Sequence, residues 1–440
     1  MRIPGPEPRP DGGLGAVVEA GGLHTYQLRL HAEYGPVVRF QLPGAETAVS
    51  VADAVLLEAT AHLDERPRDL FAFLDPLFET GNLQVLPAAE HAPLRRLLLD
   101  VLAGRPSHER HFGGFTALAT ELADRWAERG GEEPLALQKD LTALTLRMIC
   151  QYALGGQVAD PDRVIASFED VLTEYLGRLY QIPAEDTEER RAQRARDALA
   201  QLRATVDEVV AAHRSDGDGD RSDLIGTLIE AGERPARVRD LVMVAMLAAH
   251  HTTGVAVSWT LHLLARHPEV AERIGRELDE VLGDRAAPAY ADLRRLTLLE
   301  RAVKESMRLY PPGPYGARRT TEPLVLGAYE IPAGTTVFYP FWAVHMNPEH
   351  WPEPEEFRPE RFTPEEAAKR PRLAYLPFGV GQRGCEGAAL AMVEAELVLA
   401  VLLKRFRFTP VPGHEVVPVE RFVLWAADDI LMTATPRTPG

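Results

Sequence analysis

Cysteine is nearly absent from this chain: Cys150 and Cys385 are the only two in 440 residues. Two thiols cannot build a disulfide framework, and no Cys-x-x-Cys pair offers a zinc spacing. A reducing cytoplasm is therefore the expected compartment. Lysine is scarce as well, four against 44 arginines, a bias that fits the codon usage of a GC-rich genome. The net charge of -17 argues against general nucleic-acid binding, which needs a basic face. No continuous apolar run opens the chain: Met1-Arg2-Ile3-Pro4-Gly5-Pro6 leads into Pro, Asp and Gly. Neither a signal peptide nor a membrane anchor is expected from such a start. No glycine-rich dinucleotide fingerprint occurs, so no nicotinamide-binding domain is expected here.

What is present is ordinary soluble-protein composition, 45% hydrophobic and 26% charged, over a length that can bury a large core. Length alone suggests two or three domains. The richest polar run, Ser215 to Asp220, is short and lies between helical patterns, so it reads as a loop. Residues 1–440 are accordingly taken as one domain. Val37 to Leu42 and Thr47 to Val51 read as a hairpin joined at Pro43-Gly44. Helical periodicity then dominates, over 107–129, 139–154, 163–181, 187–214, 236–267, 268–283, 292–310 and 385–403. Strand signals return at 324–329, 335–339, 422–425 and 430–433. The fold class is mainly α with small β-sheets, its β-rich parts around 34–52 and 320–340.

One cysteine sits in a loop unlike the rest of the chain: Phe378-Gly379-Val380-Gly381-Gln382-Arg383-Gly384-Cys385-Glu386-Gly387. Its glycines let the backbone wrap a sulfur with N–H groups aimed at it. A strong helix pattern follows, which places Cys385 at a helix N-terminus and predicts a thiol that ionises easily. Phe-x-x-Gly-x-Arg-x-Cys-x-Gly resembles the cytochrome P450 family, whose haem iron is held by such a thiolate. The resemblance implies a triangular helical fold with haem b between a central distal helix and the helix after the cysteine. Cys385 would be the metal ligand, with Phe378 and Gly387 as part of the cofactor loop.

Further residues fall into the same register. By resemblance, His91, Arg95, Arg318 and Arg383 match the contacts to the haem propionates, which need cations once buried. Arg319 competes with Arg318, and the spacing to Leu326-Gly327-Ala328 favours Arg318. Glu305 and Arg308, with Arg361 in Pro359-Glu360-Arg361-Phe362, match a buried lock that fixes the scaffold without taking part in chemistry. Ala248-Ala249-His250-His251-Thr252-Thr253-Gly254 is a polar patch inside an apolar helix. Thr252 matches the family's threonine for holding oxygen and delivering protons. The usual neighbouring acid is missing: His251 occupies its place, and a histidine titrating around neutrality can relay protons. The same register makes Phe73, Phe78, Val244, Leu247, Ala248, Tyr315, Leu424 and Trp425 candidate walls for a bulky apolar substrate.

The resemblance implies a monooxygenase acting on a secondary metabolite such as a terpenoid or polyketide. Electrons would come from NAD(P)H through a separate ferredoxin reductase and ferredoxin. Lys369, Arg370, Arg372 and Arg383, with Lys404, Arg405 and Arg407, offer a basic patch for such an acidic partner. A peroxide-driven peroxygenase, or an oxidative ring-forming, coupling or desaturating enzyme, is the alternative. A haem-binding protein without catalysis is the remaining one.

Overall fold

The computed structural model describes residues 2–42, 48–155, 160–179, 186–215 and 223–437. Its axis is the central helix Pro235–Arg266, 32 residues long, which starts on a proline and stops at His267 before Pro268. It is apolar on every side because it is covered on every side. By length and composition it would be long enough to cross a membrane, but 83% of its apolar window is buried in the protein. Leu137–Leu154 lies along it, and the approach is closest at Gly254. A Cβ there would stand 2.8 Å from the Thr142 backbone, so only glycine fits.

Glu188–Ser215, Thr297–Leu309 and Ala388–Arg405 also pack on the central helix. In Glu188–Ser215 the charges face out while Ala198, Leu199, Leu202, Val206 and Val209 form the buried stripe expected of them. Ala88–Leu102 and Arg105–Glu128 follow one another through Gly104.

The two β-rich parts share one four-stranded sheet. Its strand order is Val37–Phe40, Ala48–Val51, Thr336–Tyr339, Gly316–Arg319. The first pair is antiparallel, with Val37 opposite Val51, and the second is parallel, with Val49 opposite Val337. The expected hairpin is thus confirmed in its strands, while its turn at Pro43-Gly44 lies outside the described residues.

Most expected helices are present within a few residues of their predicted ends. Two at the start, Leu14–Ala20 and Leu23–Tyr34, were not expected. The strand expected over 324–329 is a hairpin instead, Leu324–Leu326 with Tyr329–Ile331, because Gly327 turns the chain at φ 58. The single helix expected over 292–310 begins in fact at Thr297, after a separate turn Tyr290–Leu293.

Candidate active site

The cysteine loop is a tight turn held by its own backbone. Cys385 N–H donates to the Phe378 carbonyl at 2.8 Å, and Gly384 N–H to Gly381 at 3.1 Å. Gly381 has φ 69, and a Cβ on it would stand 2.1 Å from the Ala61 carbonyl oxygen, so this turn requires glycine. The thiol is surrounded by protein on nearly every side, yet its surface is open. It faces an internal cleft rather than bulk water. The expected easy ionisation does not hold for this thiol as it stands. Burial, then the Glu386 carboxylate, push it up to about 11, against the opposing pull of Gly387 N–H, Arg95 and Arg66. The following helix begins only at Ala388, with Gly387 as its cap, so the dipole acts from too far away to win.

Cations crowd this cleft. Arg383 is buried, its Nε 2.5 Å from the Asp64 carboxylate, and its Nη2 donates to Leu86 O at 2.6 Å. Arg95 donates to Gly384 O at 2.6 Å and pairs with Glu386, which His91 also approaches at 3.7 Å. Arg318 is 3% exposed and reaches Val380 O at 3.3 Å. Strand alternation turns Arg319 outward to Gly334, away from Arg318. Sequence reasoning missed a fifth basic residue, Arg66, which donates to Arg383 O at 3.0 Å. It lies in a Glu-Arg-Pro loop with no periodic signal. Burial, then the neighbouring Arg318, lower its pKa to about 9.

On the central helix, Ala248 is exposed and Thr252 half-exposed amid buried neighbours. Thr252 Oγ1 donates back to the Ala248 carbonyl at 2.7 Å, and the helix runs on unbroken. His251 is buried, its ring 3.8 Å from that of His250 and edge-on to Trp425 at 5.0 Å. Burial, then His250, hold its pKa well below the ordinary range, so His251 is a neutral imidazole and not one titrating near neutrality. Glu169 Oε1 comes within 2.9 Å of His250 Nε2. On the other side, Glu394 is buried against Thr253, and burial raises it to about 8.

The cytochrome P450 family model matches residues 3–434. The chain belongs to the cytochrome P450 family. Among curated relatives it is 37% identical over 248 residues to "Cyclooctatin synthase" of Streptomyces melanosporofaciens, covering 55% of this chain and 54% of that one. It is 40% identical over 223 residues to "Cyclooctat-9-en-7-ol 5-monooxygenase" of the same organism, covering 49% and 48%. The matched stretch thus spans about half the length of these two relatives. "Pentalenene oxygenase" of Streptomyces avermitilis is 29% identical over 375 residues, covering 82% and 81%. The fold matches a cytochrome P450DA haem domain with a TM-score of 0.89 at 24% identity, over 99% of this chain and 98% of that one.

Cytochromes P450 bind haem through a cysteine thiolate, and this cleft fits that group. Four guanidinium groups (Arg66, Arg95, Arg318, Arg383) face two carboxylates, Asp64 and Glu386. The surplus of two positive charges equals the charge of two propionates. Arg66 Nε and Arg383 Nη1 are buried donors, and His91 Nδ1 a buried ring nitrogen, with no hydrogen-bond partner among the described residues. Buried donors of this kind require acceptors.

The P450 scaffold lock is assembled as expected. Glu305 and Arg308, both fully buried, form two parallel bonds of 2.7 and 2.8 Å, and Arg361 Nε stands 3.2 Å from Glu305. Arg308 also donates to the carbonyls of His345, Pro354 and Glu356. His345 in turn accepts from Leu376 N–H at 3.0 Å, which ties the lock to the start of the cysteine loop.

Two expectations need correction. Leu424 is fully buried in the core and presents no surface to a cleft, because its strand points it inward. Tyr315 spends its hydroxyl on Glu420 at 2.5 Å and packs on Phe338. Trp425 faces His251. Phe73 meets Phe422 at 6.3 Å, and Phe78, Val244 and Leu247 are nearly buried. The basic patch is largely dismantled: Arg383 is internal, Arg370 stacks on Trp351, and Lys369, Lys404, Arg405 and Arg407 pair with Glu366, Asp279, Asp124 and Glu272.

Proposed function

We propose that this protein is a haem-thiolate monooxygenase that places one oxygen atom of O2 into a bulky, cyclic, terpenoid-like molecule, with Cys385 as the iron ligand. The observation that carries the reading is the buried two-charge surplus beside an accessible thiol, which suits a dianionic, metal-bearing disc. The substrate class rests on three relatives, two of whose names denote an alkene and an unsaturated alcohol. Electrons would come from NAD(P)H through a separate ferredoxin reductase and ferredoxin. The free state of both cysteines suits a cytoplasmic setting.

Bound haem supplies O2 activation, favoured by an electron-rich thiolate. The protein's own part is placement and protons. Arg66, Arg95, Arg318, Arg383 and His91 orient the propionates. Ala248 and Ala249 leave room on the distal face, and Phe73, Phe78, Val244 and Leu247 hold an apolar substrate and keep water out. Among the described residues Thr252 Oγ1 bonds within its own helix, and it can turn outward to hold a proton on the distal face. His251 passes protons to it as a neutral imidazole, taking one at one ring nitrogen and releasing one at the other. Each turnover takes two electrons and two protons, and the second oxygen leaves as water.

Three measurements on purified holoenzyme test this. A reduced, carbon monoxide-treated sample shows the absorption shift of a cysteine-ligated haem, lost in Cys385→Ser. Cyclic terpene hydrocarbons shift the resting haem band. Thr252→Ala and His251→Ala lower product formed per NAD(P)H oxidised. An absent thiolate band sinks the central reading, and unchanged coupling in His251→Ala removes that residue from the relay. Turnover with hydrogen peroxide exceeding that with ferredoxin would favour the peroxygenase alternative, which the missing acid at position 251 supports.

A further inference from the structure

His251 has a supply problem. A neutral, buried imidazole can pass a proton on, but it holds none in reserve. The stretch from Ala248 to Gly254 contains no Asp or Glu. We propose that Glu169, on the neighbouring helix Pro161–Leu179, is the missing carboxyl: it takes protons from a water-accessible cavity and feeds them through His250 and His251 to Thr252. This deepens the monooxygenase reading and rests on it.

The geometry supports the route from water to the histidine pair. Glu169 is 44% exposed, while the His250 ring 2.9 Å away is fully buried, so one carboxyl touches both water and the interior. The contact is off the line of an ideal hydrogen bond, which leaves His250 free to exchange it. Donor atoms of Glu169, His250 and His251 all lie within 4.8 Å of one another, a gap that one hop or one water spans. His250 Nδ1 and His251 Nδ1 are buried without a hydrogen-bond partner among the described residues.

A cavity of about 590 Å³ has Glu169 and His251 in its wall. The other ionisable groups facing it are Lys139, Glu174, Arg191, Arg421 and Asp429. Arg191 is held at 3.2 Å by Glu174, and Asp429 accepts from the backbone at Gln138 and Lys139. Glu169 is thus the carboxyl of this lining that reaches the histidine pair. Such a cavity, open to solvent and carrying these charged groups in a mostly apolar wall, is roomy enough for several waters. Proton balance is simple: each proton leaving Glu169 is replaced from cavity water, and each imidazole gains one proton and loses one.

The test needs no cognate substrate. Wild type, Glu169→Gln, Glu169→Ala and Thr252→Ala holoenzymes are supplied with NAD(P)H and a surrogate ferredoxin system, and O2 consumption is followed in H2O and D2O. Glu169→Gln is expected to slow it at least about tenfold and to enlarge the solvent isotope effect. Formate, small enough for the cavity, should restore Glu169→Ala. Independently of turnover, the infrared C–O stretch of the reduced carbon monoxide complex should change with pH in wild type and lose that change in Glu169→Gln. Glu169→Gln at the wild-type rate with an unchanged infrared titration overturns the proposal alone. A slow variant that formate does not rescue and that still titrates overturns it too, as a folding effect. Wild type that binds no haem overturns both this and the reading beneath it.

Discussion

Arg66 offers the sharpest check on the charge argument, because its replacement should move two stabilities in opposite directions. Its guanidinium donates to Arg383 O at 3.0 Å and lies 5.4 Å from the Phe71 ring, with Nε unpartnered. Burial, then Arg318, bring its pKa down from the ordinary arginine range to about 9. A cation so displaced carries on the order of 5 kcal/mol of unfavourable burial at neutral pH at most, less where cleft water screens it. Arg66→Met keeps the length and removes the charge, so the haem-free protein should become roughly 2 to 4 kcal/mol more stable in urea. Above pH 9 the unfolded wild-type chain still holds the proton that the folded chain has begun to release, so wild-type stability rises with pH from there. The variant should lack that rise. With haem bound the sign reverses: one charged hydrogen bond to a propionate is worth about 1.5 to 3 kcal/mol, or about 10- to 150-fold in retention. Haem transfer to excess apomyoglobin measures the second effect and urea unfolding the first. A haem-free variant less stable than wild type, with haem transfer unchanged, would refute the reasoning.

Other outcomes follow from groups that are buried and charged. Glu305→Ala strands the fully buried Arg308 and should cost about 3 to 5 kcal/mol in denaturant unfolding, whereas the double change Glu305→Leu with Arg308→Met should recover most of it. A single-variant loss below about 1 kcal/mol would show the lock to be dispensable. Glu394 and Glu396 are both raised to about 8 by burial, so the folded state keeps protons that the unfolded chain loses above the ordinary carboxyl range. Stability should therefore fall from pH 4.5 to 8, by roughly 1.4 kcal/mol per pH unit for each group. Glu394→Gln should remove about half of that slope, and an unaltered slope would contradict the assignment.

How much of this was legible depended on whether the information was local. The cysteine loop, the polar patch at 248–254 and the lock residues are contiguous or fixed in spacing, and the structure assembles each of them. Which of Arg318 and Arg319 turns inward was expected from spacing, and in the structure strand alternation buries Arg318 and turns Arg319 out. The early helices escaped because Leu14–Ala20 and Leu23–Tyr34 are short and broken by glycine. The basic patch failed for a different reason: Lys404, Arg405 and Arg407 look free in one dimension and meet Asp279, Asp124 and Glu272 only when distant helices fold against them.

The chain by itself determined the turn that presents Cys385, because Gly379, Gly381, Gly384 and Gly387 let the backbone fold tightly around it. It also determined that His251 stands where an acid is usual. Tertiary structure alone decided the states of those groups. Burial, a property of everything packed around a residue, pushes the Cys385 thiol up against its local dipole and holds the His251 imidazole well below its ordinary range. Packing between separate elements gathers Arg66 with Arg95, Arg318 and Arg383, and brings Glu169 from another helix to His250. Charge and proton affinity are set by neighbours in space, and those neighbours lie up to about three hundred residues apart along the chain.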